Sequence, residues 1–404
     1  MRVTAAGRDS SLSRLTALAE AAEAARGRYA SLADRASRAY SPAVHLLAFS
    51  SFLGWIWATG DLRLSLNIAA AVLIITCPCA LGLAVPAVAT AASGRLFRRG
   101  LLIKNATALE RMAQIDTVVF DKTGTLTMGQ PRLVSVDPLP MDLRPVARAL
   151  AGASAHPLAR ALAEALADQE PAALEDVREV PGFGVAARWN GAEVRLGRAD
   201  WLGAGDVGDR PTTATWLAVQ GHDPIRLDFT DQLRPGAEDC VARLKAQGMR
   251  VILLSGDRPA AVADLAAQLG IGEYHAGVDP LGKAGFIGDL ADQGAHVLMV
   301  GDGLNDTAAL ARAHASISPA SALDAARVAS DVVLTGQDLA PVAEALQVAR
   351  RATARIRENF AISIGYNIVA VPLAIAGFAT PLLAALAMSL SSITVTLNAL
   401  RLKG

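Results

Sequence analysis

The sequence predicts a multi-domain membrane protein. An α-helical transmembrane bundle is joined to an α/β soluble block, and an α+β module is inserted into that block. Three observations predict this. Long apolar segments lie towards both ends, and none lies between residues 105 and 357. Three apolar strand-like runs in the middle end in acids: Thr117–Phe120 before Asp121, Leu253-Leu254 before Ser255-Gly256-Asp257, and Val297–Val300 before Gly301-Asp302. The stretch 130–228 between the first two runs has a pattern of its own.

Composition agrees. The chain has 404 residues, room for two or three domains. Lys+Arg and Asp+Glu are both 38, a balance that points to no nucleic-acid partner and no acidic one. The apolar share is 52% and the mean hydropathy +0.33, high for a soluble enzyme. Of the three cysteines, Cys77 and Cys79 sit inside an apolar segment, so no disulfide framework is expected; Cys240 reads as a small buried residue. The first 40 residues are polar and helical in composition and do not resemble a signal peptide.

In chain order, residues 9–41 read as helix too polar to span a bilayer. Pro42–Gly60 is the first expected span. Leu64 to about Ser93 is the second, long enough to cross and interrupted by Pro78 and Pro86. Arg95, Arg98, Arg99 and Lys104 then form a basic flank. Arg351, Arg355 and Arg357 form another before the third and fourth spans, Asn359–Gly377 and Pro381–Leu400. Basic flanks on one side place the soluble block and both ends in the cytoplasm. Within that block, 112–129 and 229–345 alternate strands and helices, the pattern of a doubly wound parallel sheet.

A carboxylate at the C-terminal end of a parallel strand faces the edge where open α/β sheets bind ligands. Asp121 is followed by Lys122-Thr123-Gly124-Thr125-Leu126-Thr127, which adds an amine, hydroxyls and a glycine turn suited to phosphate and Mg²⁺. Such a carboxylate can attack a phosphoryl group and carry it. In the membrane segments, Cys77-Pro78-Cys79 puts two soft thiol ligands around a helix break. Met388 and Ser392 are four apart and share a helix face. No Asp or Glu lies between Asn359 and Leu402.

The seven residues from Asp121 resemble the phosphorylation motif of P-type ATPases, whose phosphorylation domain is haloacid-dehalogenase-like. The resemblance implies an aspartyl-phosphate enzyme using ATP and Mg²⁺. Asp121 would be the nucleophile, flanked by Lys122 and Thr123. Ser255 would bind phosphate oxygens beside Gly256 and Asp257, and Lys283 would neutralise charge on the phosphate. Asp121, Thr123 and Asp302 would hold Mg²⁺, with Asn305 and Asp306 completing the shell. Ser255 stands where the family usually has Thr.

Ser154-Ala155-His156-Pro157-Leu158 and Gly182-Phe183-Gly184, within 130–228, resemble the nucleotide-binding domain of heavy-metal (type IB) P-type ATPases. His156 would orient ATP, and Gly182 and Gly184 would let backbone approach it. The chain departs from that pattern at Ala151, often acidic, and at Gly197-Arg198, often Gly-Asn. The Cys-Pro-Cys, with Tyr366-Asn367 and Met388-Ser389-Leu390-Ser391-Ser392, resembles the copper(I) subgroup. There Cys77, Cys79, Tyr366, Asn367, Met388 and Ser392 would line the path of Cu(I).

Full-length relatives also carry earlier membrane helices and an actuator domain, neither of which is found in this sequence. Residues 1–41 would follow that domain, and 42–104 and 358–402 would each hold two membrane helices. The chain is expected to be the carboxy-terminal part of an inner-membrane pump, phosphorylating but slow to dephosphorylate. The lipid bilayer, a copper chaperone and a separate actuator-containing subunit are its expected partners. A membrane-tethered phosphatase on the same fold and an inactive remnant stay open as alternatives.

Overall fold

The structure is a computed structural model that describes residues 32–77, 79–204, 212–302, 304–322 and 324–401. Pro78, the side chain of Cys79, and most of the expected polar helix at 9–41 lie outside the described residues.

Aliphatic runs without polar alternation form strands buried on both faces. In chain order the strands are β1 (Leu101–Ile103), β2 (Thr117–Phe120), β3 (Thr127–Leu133), β4 (Glu175–Val180), β5 (Gly184–Trp189), β6 (Ala192–Gly197), β7 (Thr213–Val219), β8 (Ile225–Leu233), β9 (Arg250–Leu254), β10 (Glu273–His275), β11 (Val297–Val300), β12 (Ala315–Pro319) and β13 (Val332–Leu334). Seven of them form a sheet in the order β1-β13-β12-β11-β2-β9-β10. It is parallel except for β1, which pairs antiparallel with β13. β2 and β11 are buried along their whole length. Apolar clusters cover both faces, one including Val118, Phe120 and Leu253, the other Val119, Ile252 and Met299. The sheet begins upstream of residue 112, because Leu101–Ile103 returns from the membrane helix to close its edge.

The other six strands form an antiparallel sheet, β3-β8-β7-β6-β5-β4. Helices Arg144–Gly152 and Pro157–Ala165 cover one face through Val146, Leu150 and Leu162, which meet Val185, Leu196 and Leu217. β3 and β8 carry the chain into and out of this layer side by side, with Thr127 opposite Leu233.

Among the described residues, three helices are long and apolar enough to cross a membrane: Pro42–Thr59 within the helix Leu32–Thr59, Pro341–Ile375 and Pro381–Leu400. The second expected span is not one helix. Leu62–Ile75 is only 14 residues long, and a separate helix runs from Cys79 to Arg98. Proline at 78 lacks the N–H that would continue the ladder and disfavours helical geometry at residue 77. Pro42 does not start the first helix but lies inside it. The helix that carries the third span starts at Pro341, well before Asn359, and extends for 35 residues or about 50 Å. Its first turns pack Val342, Leu346 and Ala349 into the core of the parallel sheet. Glu344 meets Arg95 of the Cys79 helix and Arg99 just past its end, at 3.6 and 3.5 Å. Soluble block and bundle are thus joined through continuous helix.

Candidate functional site

Strand register assembles the first site. Phe120 is level with Val300 and with Leu253. Asp121, Gly301-Asp302 and Leu254-Ser255 therefore leave the sheet along one edge. The Asp121 amide donates to the Val300 carbonyl at 2.9 Å. Gly124 takes a φ of +70°, and a Cβ there would lie 1.6 Å from Asp302 Oδ2. Only glycine lets the loop after Asp121 pass so close to that carboxylate.

Lys283 arrives from the first turn of the helix Pro280–Asp292, which Asp279 caps by accepting from the Gly282 amide at 2.6 Å. Its buried ammonium donates to Asp121 Oδ1 at 2.5 Å and to Asp306 Oδ1 at 2.7 Å. Asp121, Asp302 and Asp306 hold carboxylate oxygens within 4.8 Å of one another. These groups, with Thr123, Ser255, Gly256, Asp257 and Asn305, line a cleft of about 620 Å³. Lys122 turns aside and pairs with Asp257. The Ser255 hydroxyl accepts from the Asp257 amide at 3.2 Å.

The charges do not balance. Three carboxylates face one ammonium. Burial, then the charge of Asp306, push the Asp121 carboxyl up to about 7 against the pull of Lys283. Burial, then Asp306, raise Asp302 to about 6. An all-oxygen site with excess negative charge fits Mg²⁺, which takes hard oxygen ligands and shares them with phosphate.

Sequence reasoning missed the brace of this loop. Arg234 is buried; its Nε donates to the Thr125 carbonyl at 2.7 Å and its guanidinium also reaches the Gly124 carbonyl. Asp231 accepts from the Thr127 hydroxyl at 2.5 Å and from the Gln130 amide at 3.0 Å. Both brace residues follow the inserted stretch, about a hundred residues after the loop they hold, so only the β3–β8 pairing brings them together.

A second pocket, about 280 Å³, lies on the six-stranded sheet and shares no lining residue with the cleft. It gathers His156, Gly182 and Gly184 as the sequence suggested, with Ser154, Glu179, Phe183 and Arg198. His156 caps the helix Pro157–Ala165, its Nδ1 accepting from the Leu158 amide at 3.3 Å. Gly184 has a reason other than ligand approach: a Cβ there would lie 2.1 Å from the Leu196 carbonyl oxygen of β6. Ala151 is buried in the core.

In the bundle, Asn367 donates to the Tyr40 hydroxyl at 2.9 Å, and Tyr366 packs with Ala71, Ile75 and Ala374. Met388 and Ser392 are half-buried, whereas neighbouring Ser391 is buried. Cys77 is disulfide-bonded, against the sequence expectation.

Comparison with known proteins agrees with this architecture. Residues 115–314 match the family of haloacid dehalogenase-like hydrolases. A zinc-transporting PIB-type ATPase solved in its E2.Pi state superposes with a TM-score of 0.87 at 31% identity, covering 100% of this chain and 69% of that one. This chain belongs to the PIB-type ATPase family. Among curated relatives, "Nitrogen fixation protein FixI" of Rhizobium leguminosarum bv. viciae is 50% identical over 100% of this chain and 54% of its own length. A "Copper-exporting P-type ATPase" of Mycobacterium tuberculosis is 37% identical over 100% of this chain and 55% of its own. The chain spans about half the length of the curated relatives it matches.

Proposed function

We propose that this chain performs the phosphorylation half of an ATP-driven heavy-metal pump, with Cu(I) as cargo. The observation that carries the reading is the buried contact of Lys283 with both Asp121 and Asp306 at the end of the parallel sheet. Asp121 attacks the γ-phosphorus of ATP. A bond from its carboxylate oxygen to phosphorus forms, the bond from phosphorus to the β,γ-bridging oxygen breaks, and ADP leaves. Lys283 holds the attacking carboxylate and offsets charge on the phosphoryl oxygens. Ser255 and Asn305 line the cleft where those oxygens would sit. Mg²⁺ bound by Asp121, Thr123 and Asp302, with Asp306 nearby, would neutralise further phosphate charge. His156, Gly182 and Gly184 would hold the nucleotide.

Reduced Cys77 and Cys79, with Tyr366, Asn367, Met388 and Ser392, would bind the cargo. Sulfur donors and the lack of acids between Asn359 and Leu402 favour Cu(I) over a divalent ion. The copper-exporting relative supports this; the zinc-transporting structure supports only the heavy-metal class. The basic flanks would place the soluble block in the cytoplasm and the bundle in the inner membrane. A copper chaperone and an actuator-bearing polypeptide would be partners.

The test is acid-stable ³²P labelling by [γ-³²P]ATP, under reductant, with and without a Cu(I) chelator. Asp121→Asn should abolish the label, and the chelator should change its level in the parent chain. Label persisting at another residue would sink the assignment of Asp121. A response to Zn²⁺ and not to Cu(I) would sink the copper reading alone.

A further inference from the structure

Glu179 is the one acidic residue in the lining of the pocket on the six-stranded sheet. It is level with Val185, Leu196 and Leu217 across β4, β5, β6 and β7. Residues in register point to the same face of a sheet. The other three are buried under the helices, whereas Glu179, on the edge strand β4, is exposed where that cover ends. A carboxylate thus stands on the inner face of the sheet at the mouth of a pocket.

It is also held in place. The Ser154 hydroxyl donates to Glu179 Oε1 at 2.7 Å, and the same oxygen of Ser154 accepts from the His156 amide at 3.2 Å. Oε2 meets no protein donor among the described residues. Leu158, Val185 and Leu196 supply an apolar wall, while His156 and Arg198 add polar groups at the rim. An ionised carboxylate accepts hydrogen bonds and donates none. A flat base that presents an amine at its edge satisfies it; a base without that amine leaves it unpaired.

We propose that Glu179, positioned by Ser154, selects the nucleobase: its carboxylate accepts from the exocyclic amine of adenine. The proposal rests on the reading of this pocket as the nucleotide site. It makes Glu179 a specificity residue and Ser154 a positioning residue.

Calorimetric titration of the detergent-solubilised chain, without Mg²⁺, tests it using ATP and purine riboside triphosphate, which lacks the amine. Hydrogen bonds to a charged group correspond to roughly 10-fold to 100-fold in affinity. The parent chain should bind ATP at least about tenfold tighter than the analogue. Glu179→Ala should erase that preference by weakening ATP alone. Glu179→Gln, which keeps a carbonyl acceptor, should retain part of it, and Ser154→Ala should reduce it. Unchanged discrimination in both Glu179 variants would overturn the proposal and leave the residue an inward charge guarding an edge strand against pairing. A parent chain that binds neither nucleotide would overturn the nucleotide reading itself, a result distinct from loss of discrimination.

Discussion

At the edge of the parallel sheet, ligand-facing chemistry comes from charged side chains at strand ends: Asp121, Asp302 and Asp306 around Lys283, nearly all buried. On the antiparallel sheet, Gly184 and Gly197 allow β5 and β6 to close on each other, Leu158, Val185 and Leu196 supply an apolar wall, and the polar groups stand at the rim. A cleft built from mutually dependent charges answers mainly to electrostatics. The strands beneath the pocket, closely packed at Gly184 and Gly197, answer mainly to shape.

The sharpest way to break that contrast is Lys283→Met. It leaves buried carboxylates without their ammonium, a loss of about 3–5 kcal/mol for a disrupted buried pair. Chemical denaturation should show it, and Mg²⁺ should restore part of it. An unchanged midpoint without metal would mean that the carboxylates are already neutralised by protons, and the contrast would fail.

A smaller effect is expected in the pocket. Gly184→Ala drives a methyl into the Leu196 carbonyl and should cost about 1–3 kcal/mol, as overpacking does. Gly182→Ala meets no atom within 4 Å and carries only the strain of a φ of +82°, about 1 kcal/mol. Trp189, Trp201 and Trp216 lie in this layer and report its unfolding by fluorescence. Equal losses in the two variants would remove the shape argument.

The remaining effect is in pH. The folded-state values of about 7 for Asp121 and about 6 for Asp302 lie above the ordinary carboxylate value near 3.9. Without metal, the folded protein therefore holds more protons than the unfolded chain between these limits. The stability this contributes is complete below about pH 4 and is lost as pH rises through 6 and 7. Saturating Mg²⁺, by competing with those protons, should flatten the slope. Stability that rises over the same range without Mg²⁺ would contradict the raised values.

Much of the cleft was legible because its parts are local words: an apolar strand, then Asp121 and its loop, or then Gly301-Asp302. The residues that support those words were not legible. Arg234 and Asp231 lie in an ordinary polar turn until β3 pairs with β8. The second membrane segment looked continuous by hydropathy, which averages over Cys77-Pro78-Cys79 and cannot register a break in backbone hydrogen bonding. The helix of the third segment runs longer than its apolar part, because the polar turns from Pro341 onward are helical through packing on the sheet rather than through apolar content.

The sequence by itself determined a carboxylate at a strand end, the strand pattern that carries it and the apolar ends, since each depends on residues adjacent in the chain. Only the tertiary structure decided that Lys283, 162 residues from Asp121, reaches it together with Asp306, and that Glu179 stands at the mouth of a pocket. The reason is physical. Side-chain chemistry and local periodicity are written residue by residue, whereas burial, register and the balance of charge in a cleft exist only after distant strands have paired.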